Sequence, residues 1–164
     1  MILKGKNSIL FVCMGNICRS PIVEAVARAE FARAGIDAEI ASAGTENYHV
    51  GERADARAIR IAQAHGYALA QHRARQVQRA DFSRYDHLLV MDRVNLRALQ
   101  RLRAGAGGGA DALFLEHAGF GSEEVPDPYY GGEEDFVHVV ALARKGVHAM
   151  IERLRHARSL EGAA

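Results

Sequence analysis

The chain has 164 residues, of which 25% are charged and 49% hydrophobic, the make-up of one ordinary globular domain long enough to bury a core. A formal net charge of +1 gives no basic field to attract nucleic acid. No apolar run approaches the ~20 residues of a membrane span and no signal-peptide pattern opens the chain, so membrane insertion is not expected.

In chain order, Ser8 to Val12 reads as a short buried strand. Ser20 as N-cap, Pro21 at the first helical position and Gly35 just past the end bracket a helix with Ile22, Val26 and Ala29 on one face. Ala38 to Ala43 predicts a second strand, and Asp55 to Gly66 a helix with a capping aspartate and a terminal glycine. The run His72-Arg73-Ala74-Arg75-Gln76-Val77-Gln78-Arg79 is locally basic, either a solvated face or a frame for an anionic substrate. Tyr85 to Met91 predicts the third strand, with Asp92 capping the next helix. Ala104 to Ala110 is nearly all Gly and Ala and reads as a flexible surface turn; Ala112 to Leu115 reads as the fourth strand. Phe136, Val140, Ala143, Val147, Ile151 and Leu154 then keep helical spacing, and the final ~8 residues are expected to be a disordered tail.

Strands alternating with helices imply an α/β fold: a single three-layer domain, a four-stranded parallel sheet with helices on both faces. Ligands of such sheets bind at the carboxyl ends of the strands, near the point where strand order reverses. Cys13 stands at the end of the first strand.

The most informative run is Val12-Cys13-Met14-Gly15-Asn16-Ile17-Cys18-Arg19-Ser20-Pro21. A strand that turns tightly into a helix aims successive backbone N–H groups at one spot, beside the positive end of the helix dipole. Gly15 and Asn16 are residue types that tolerate the left-handed backbone such a turn needs. Arg19 adds a planar fork able to grip two phosphate oxygens. A cysteine in that field is readily a thiolate nucleophile, because helix N-termini and cations lower thiol pKa values to roughly 3.5–7.5. An isolated cysteine at a strand end is usually packing; its position between strand and helix is the context that favours chemistry here. Cys13 and Cys18 are the only cysteines and no His pair lies near them, which leaves a closed zinc site short of ligands. No Gly-Lys-Ser/Thr follows the glycine, so a Walker loop is excluded too.

Phosphoryl transfer to a thiolate requires a group to protonate the leaving oxygen. Asp127, in Val125-Pro126-Asp127-Pro128-Tyr129-Tyr130, is held between two prolines that stiffen its loop. The tyrosines behind it offer aromatic walls for an aryl phosphate, and Tyr48 is a candidate for the opposite wall.

Together, the Cys13 to Pro21 run and Asp127-Pro128-Tyr129-Tyr130 resemble the low-molecular-weight protein tyrosine phosphatases. Ser42-Ala43-Gly44-Thr45, His72-Arg73-Ala74-Arg75-Gln76 and Met91-Asp92-Arg93-Val94-Asn95 also look like segments of that family, so the resemblance spans nearly the whole chain. It implies that family's small four-stranded parallel sheet and metal-free, cofactor-free hydrolysis of phosphotyrosine. By position, Cys13 resembles the nucleophile, Arg19 the phosphate-binding arginine and Asp127 the general acid. Met14, Gly15, Asn16, Ile17 and Cys18 complete the phosphate loop, while Asn16, Ser20, Ser42 and His72 match the hydrogen-bond network that supports it. Ile17, Tyr48, Tyr129 and Tyr130 form the expected pocket walls. Cys18 matches a second loop cysteine able to trap an oxidised Cys13 as a reversible disulfide.

The expected partner is a phosphotyrosine-containing protein, in a reducing cytosol that keeps the thiolate free. The expected state is a monomer, with weak self-association through exposed tyrosines as an alternative. Arsenate reduction on a related loop would need further cysteines after Cys18, and none follows. A silent phosphotyrosine-binding module would be expected to have lost Cys13, Arg19 or Asp127, and all three are present.

Overall fold

A computed structural model of the chain describes residues 7–162. The elements run β1 (Asn7–Cys13), α1 (Arg19–Arg33), β2 (Ala38–Gly44), α2 (Ala56–Ala64), α3 (Arg79–Arg84), β3 (His87–Val90), α4 (Arg93–Arg103), β4 (Ala110–Leu113), α5 (Phe114–His117) and α6 (Glu133–Gly162). All strand pairs are parallel, in the order β2-β1-β3-β4. The fold is the three-layer α/β architecture that the alternating pattern implies.

Strand β1 lies inside the sheet and is buried on both faces, which explains its continuous apolar run in place of an alternation. Its side chains divide between two cores. Ile9, Phe11 and Cys13 face a layer built with Ile22 and Val26 of α1 and Phe136, Val140 and Val147 of α6. Leu10 and Val12 face Phe82 of α3 and Leu99 of α4 on the other side. Phe11 meets Phe114 edge-on at 5.5 Å. A side chain at Gly146 would place its Cβ 2.3 Å from the Phe114 ring, so the absence of one lets α6 lie close to the sheet. Truncating a fully buried phenylalanine in such a core costs roughly 3–5 kcal/mol.

Several local expectations are corrected. Cys18, not Ser20, occupies the N-cap of α1, which puts Ser20 and Pro21 in the first turn. Pro21 is tolerated there because first-turn N–H groups have no partner inside the helix. The third strand is shorter than Tyr85 to Met91, since Tyr85 N–H closes α3 on the Asp81 carbonyl. The fourth strand begins at Ala110, and Phe114 and Leu115 belong to a short helix. The Gly/Ala segment before it packs closely at its end: a Cβ at Gly108 would lie 2.0 Å from the Phe82 carbonyl oxygen, and one at Gly109 2.1 Å from that of Tyr85. These two glycines serve close approach to the end of α3, while Gly105 and Gly107 have room for a Cβ and most of the segment lies at the surface, as expected. Helix α6 continues to Gly162, through residues 157–162 of the expected tail; residues 163–164 lie outside the described residues.

Strand order reverses between β1 and β3. There the Met91 N–H reaches the Val12 carbonyl at 3.2 Å, directly before Cys13. This places the carboxyl end of β1 at the crevice where doubly wound sheets bind ligands.

Candidate active site

From Cys13 the chain turns through residues 14–18 into α1. Asn16 alone among the described non-glycine residues has a positive φ, 59°, as its residue type suggests. Gly15 serves space instead of a left-handed backbone: a Cβ there would approach His49 Cδ2 to 2.9 Å. Gly44 at the end of β2 is needed for the same reason, since its Cβ would lie 2.6 Å from the Met14 carbonyl oxygen.

The fully buried Asn16 side chain organises the turn. Its Nδ2 donates to Ser20 Oγ and to Ser42 Oγ, both at 2.9 Å, and its Oδ1 accepts from the Arg75 N–H at 3.0 Å. His72 Nε2 donates to the Asn16 carbonyl at 2.8 Å, which fixes the imidazole tautomer because a carbonyl only accepts. The Ser42 hydroxyl in turn donates to Glu24 Oε1 at 2.6 Å. Ser20, already accepting from Asn16, has its hydroxyl proton left for Cys13 Sγ, 3.0 Å away. The Asn16 N–H also points at that sulfur, at 3.3 Å. Two donors therefore converge on Cys13, the arrangement that holds negative charge on sulfur.

Arg19 is 3% exposed. Its Nη1 donates to Asp92 Oδ2 at 2.6 Å and to the Val125 carbonyl at 3.1 Å, and its Nη2 lies 3.8 Å from Asp127 Oδ2. Burial opposes its charge, but Cys13, Asp92 and Asp127 outweigh burial and hold the guanidinium firmly protonated. Asp92 uses its other oxygen to cap α4, accepting from the Asn95 N–H at 2.7 Å. Burial first, then Asp55, Cys13 and Asp127, push the Cys18 thiol well above the ordinary range, with Arg57 only partly opposing. It stays a thiol, and both cysteines are free.

Cys13, Arg19 and Asp127 line one pocket of about 190 Å³. Asp127 sits on an exposed loop whose start is pinned by the Val125 N–H on the Met91 carbonyl, at 2.9 Å. Its carboxyl is 47% exposed and accepts at Oδ1 from the Tyr129 N–H at 3.1 Å. Tyr129 and Tyr130 stand edge to face at 4.9 Å and form one wall, with Ile17 lining the interior. Tyr48 does not line this pocket. It is 68% exposed, and the wall on that side is His49, whose Nδ1 pairs with Glu52.

The basic run from His72 turns partly inward. His72 and the Arg75 backbone support Asn16, while the Arg75 guanidinium takes both oxygens of Asp81 at 2.9 and 3.1 Å. The sequence reading also passed over Glu24, Arg57 and the second role of Asp92. Glu24 carries a local signal, since it follows Ser20 by one helical turn and shares its face. Among the described residues, no helix is long and apolar enough to cross a membrane.

Known proteins resemble the chain in both sequence and fold. Residues 8–160 match the family model of the low molecular weight phosphotyrosine protein phosphatases. A low molecular weight protein-tyrosine-phosphatase of Streptomyces coelicolor is 40% identical over 163 residues, covering 95% of this chain and 97% of the relative. A low molecular weight phosphotyrosine protein phosphatase of Schizosaccharomyces pombe is 42% identical over 132 residues, 78% of this chain and 84% of the relative. The solved structure of Vibrio vulnificus Wzb in complex with benzylphosphonate superposes with a TM-score of 0.78 at 32% identity, covering 91% of this chain and 99% of that one. With a family model matched over residues 8–160, a matching fold and a relative alike along nearly its whole length, the chain belongs to the low molecular weight phosphotyrosine protein phosphatases.

Proposed function

We propose that this protein hydrolyses phosphotyrosine in protein substrates through a cysteinyl-phosphate on Cys13, with Arg19 binding the phosphate and Asp127 moving the proton. The observation that carries the reading is the shared pocket: a sulfur under two hydrogen-bond donors, a buried guanidinium and a carboxyl on a proline-flanked loop. The phosphate seats against the loop N–H groups and Arg19. Cys13 Sγ attacks phosphorus, the P–O bond breaks, and the electron pair leaves with the tyrosyl oxygen, which takes the Asp127 proton. Arg19 and the loop amides hold the charge on the equatorial oxygens. Asp127, now a carboxylate, accepts a proton from water as that water attacks phosphorus. The S–P bond breaks, releasing phosphate and restoring the thiolate.

The aromatic wall of Tyr129 and Tyr130 supports an aryl over an alkyl phosphate, and a solved relative holds benzylphosphonate. A thiolate nucleophile fits a reducing compartment, which we take to be the cytosol. The test is hydrolysis of p-nitrophenyl phosphate in EDTA at mildly acidic pH. Wild type retains activity under the chelator and Cys13→Ser loses it, while Asp127→Ala falls by ~10²–10⁴-fold on substrates with poor leaving groups. Loss of wild-type activity in EDTA, or full activity in Cys13→Ser, would refute the reading.

A further inference from the structure

We propose that Arg57 is a positioning residue for Asp127, strapping the loop that carries the acid to the N-terminus of α2. The inference rests on the reading of Asp127 as the proton donor. Pro126 and Pro128 bring no N–H donors to either side of Asp127. The bonds within the loop, Tyr129 N–H on Asp127 Oδ1 at 3.1 Å and Gly131 N–H on the Pro128 carbonyl at 2.9 Å, do not tie it to the rest of the fold. Its entry is fixed at Val125, and its exit is fixed where the Gly132 N–H donates to Asp135 Oδ2 at 2.9 Å to open α6. Between these points, among the described residues, the hydrogen bonds that reach the backbone of residues 127–131 from outside both come from Arg57. Its Nη2 donates to the Tyr129 carbonyl at 3.0 Å and its Nη1 to the Gly131 carbonyl at 3.3 Å.

The route to the acid is short. Tyr129, held through its carbonyl by Arg57, is the residue whose N–H orients the Asp127 carboxyl at 3.1 Å. Arg57 is itself immobilised. Its Nε and Nη2 donate to the two oxygens of Asp55, at 3.1 and 3.0 Å, and Asp55 also caps α2 by accepting the Arg57 N–H at 2.8 Å. The guanidinium lies over the buried Phe136 ring, 4.6 Å from its centroid, and 5.8 Å from that of Tyr129. One planar fork therefore joins a helix cap, the first turn of α6 and the acid loop. A lysine cannot reproduce that set of simultaneous contacts.

Any effect on the Tyr129 wall is shared by all aryl phosphates, whereas an effect on Asp127 is not, so the signature of the strap is dependence on the leaving group. The experiment compares kcat/KM for phenyl phosphate, which needs its leaving oxygen protonated, with that for 2,4-dinitrophenyl phosphate, which does not. Arg57→Met keeps an apolar stem over Phe136 and removes the fork. It is expected to lose about 10-fold or more on phenyl phosphate and less than about 2-fold on the dinitrophenyl ester, since small misplacements of a catalytic group can cost ~10²-fold. Arg57→Lys falls between wild type and Arg57→Met. In an Asp127→Ala background, Arg57→Met causes no further loss on phenyl phosphate, because the group it positions is gone.

Arg60→Ala is the control, removing only the neighbouring pair with Glu133, 2.6 Å apart; both substrates should be unaffected. Equal losses on the two esters, no loss, or an additive loss in the Asp127→Ala background would overturn the strap. If Asp127→Ala itself showed no leaving-group dependence, the acid assignment would fall first and the strap with it. Should Arg57→Met not fold, Arg57→Lys carries the same comparison.

Discussion

Asp92 shows how one side chain can serve a helix and an active site at once. Its Oδ1 caps α4 and its Oδ2 holds Arg19, so the guanidinium is oriented before any phosphate arrives. Asp92→Asn retains a good helix cap through its one amide oxygen but turns an NH2 donor towards Arg19, which loses both the ion pair and its acceptor at Nη1. The expected result is a rise in KM and in the inhibition constant of inorganic phosphate, with kcat/KM down about 10-fold and the melting temperature little changed. Unaltered phosphate inhibition would show that Arg19 is held by Val125 and the loop alone. At this scale the sequence was legible where one residue type meets one local demand. Asn16 was readable because its turn needs a positive φ, and Cys13 and Arg19 because their loop spacing has a chemical meaning. Tyr48 is less legible: it is 68% exposed, and on that side His49 lines the pocket.

Elements were legible wherever periodicity ran long enough to count. Strand β1 and helices α1 and α6 could be read from apolar spacing, whereas the six-residue α3 is too short for a helical period to emerge. The Gly/Ala run before β4 was read as a surface turn, but the close approach of Gly108 and Gly109 was hidden, because a glycine kept for space looks, in sequence, like one kept for freedom. Contacts between elements also leave titratable marks. His117 of α5 packs its ring 4.7 Å from that of His87 in β3, and Arg153 of α6 donates to its carbonyl at 2.6 Å. Burial first, then His87 and Arg153, lower its pKa from 6.5 to about 4. Below pH 6.5 the unfolded chain takes up a proton that the folded chain refuses, so stability falls as pH drops from 6.5 towards 4. Glu30 acts lower in the scale. Burial would raise its pKa, but Tyr67, His148 and Arg33 together bring it below the ordinary 4.5, so its contribution is lost only beneath that value. His117→Gln should therefore flatten the fall in melting temperature between pH 6.5 and about 4.5 relative to wild type. Parallel curves would show that His117 titrates normally in the folded protein.

The whole molecule acts by bringing distant chain segments to one sheet end. Arg19 meets Asp92 across 73 residues and Arg57 meets Tyr129 across 72, and neither pairing has a local sequence signature. The architecture itself was readable, because alternating strands and helices admit few topologies and place ligands at the strand-order reversal. The sulfur at that reversal is the centre of the proposed chemistry. The most direct test is to stop the full-length enzyme with a rapid denaturing quench during turnover of phosphotyrosine, then map covalent phosphate by peptide mass spectrometry. Phosphate on the peptide at Cys13, accumulating at a rate no slower than turnover, is the result expected of a cysteinyl-phosphate mechanism. Turnover with no phosphate on Cys13, or with phosphate on another residue, would contradict it.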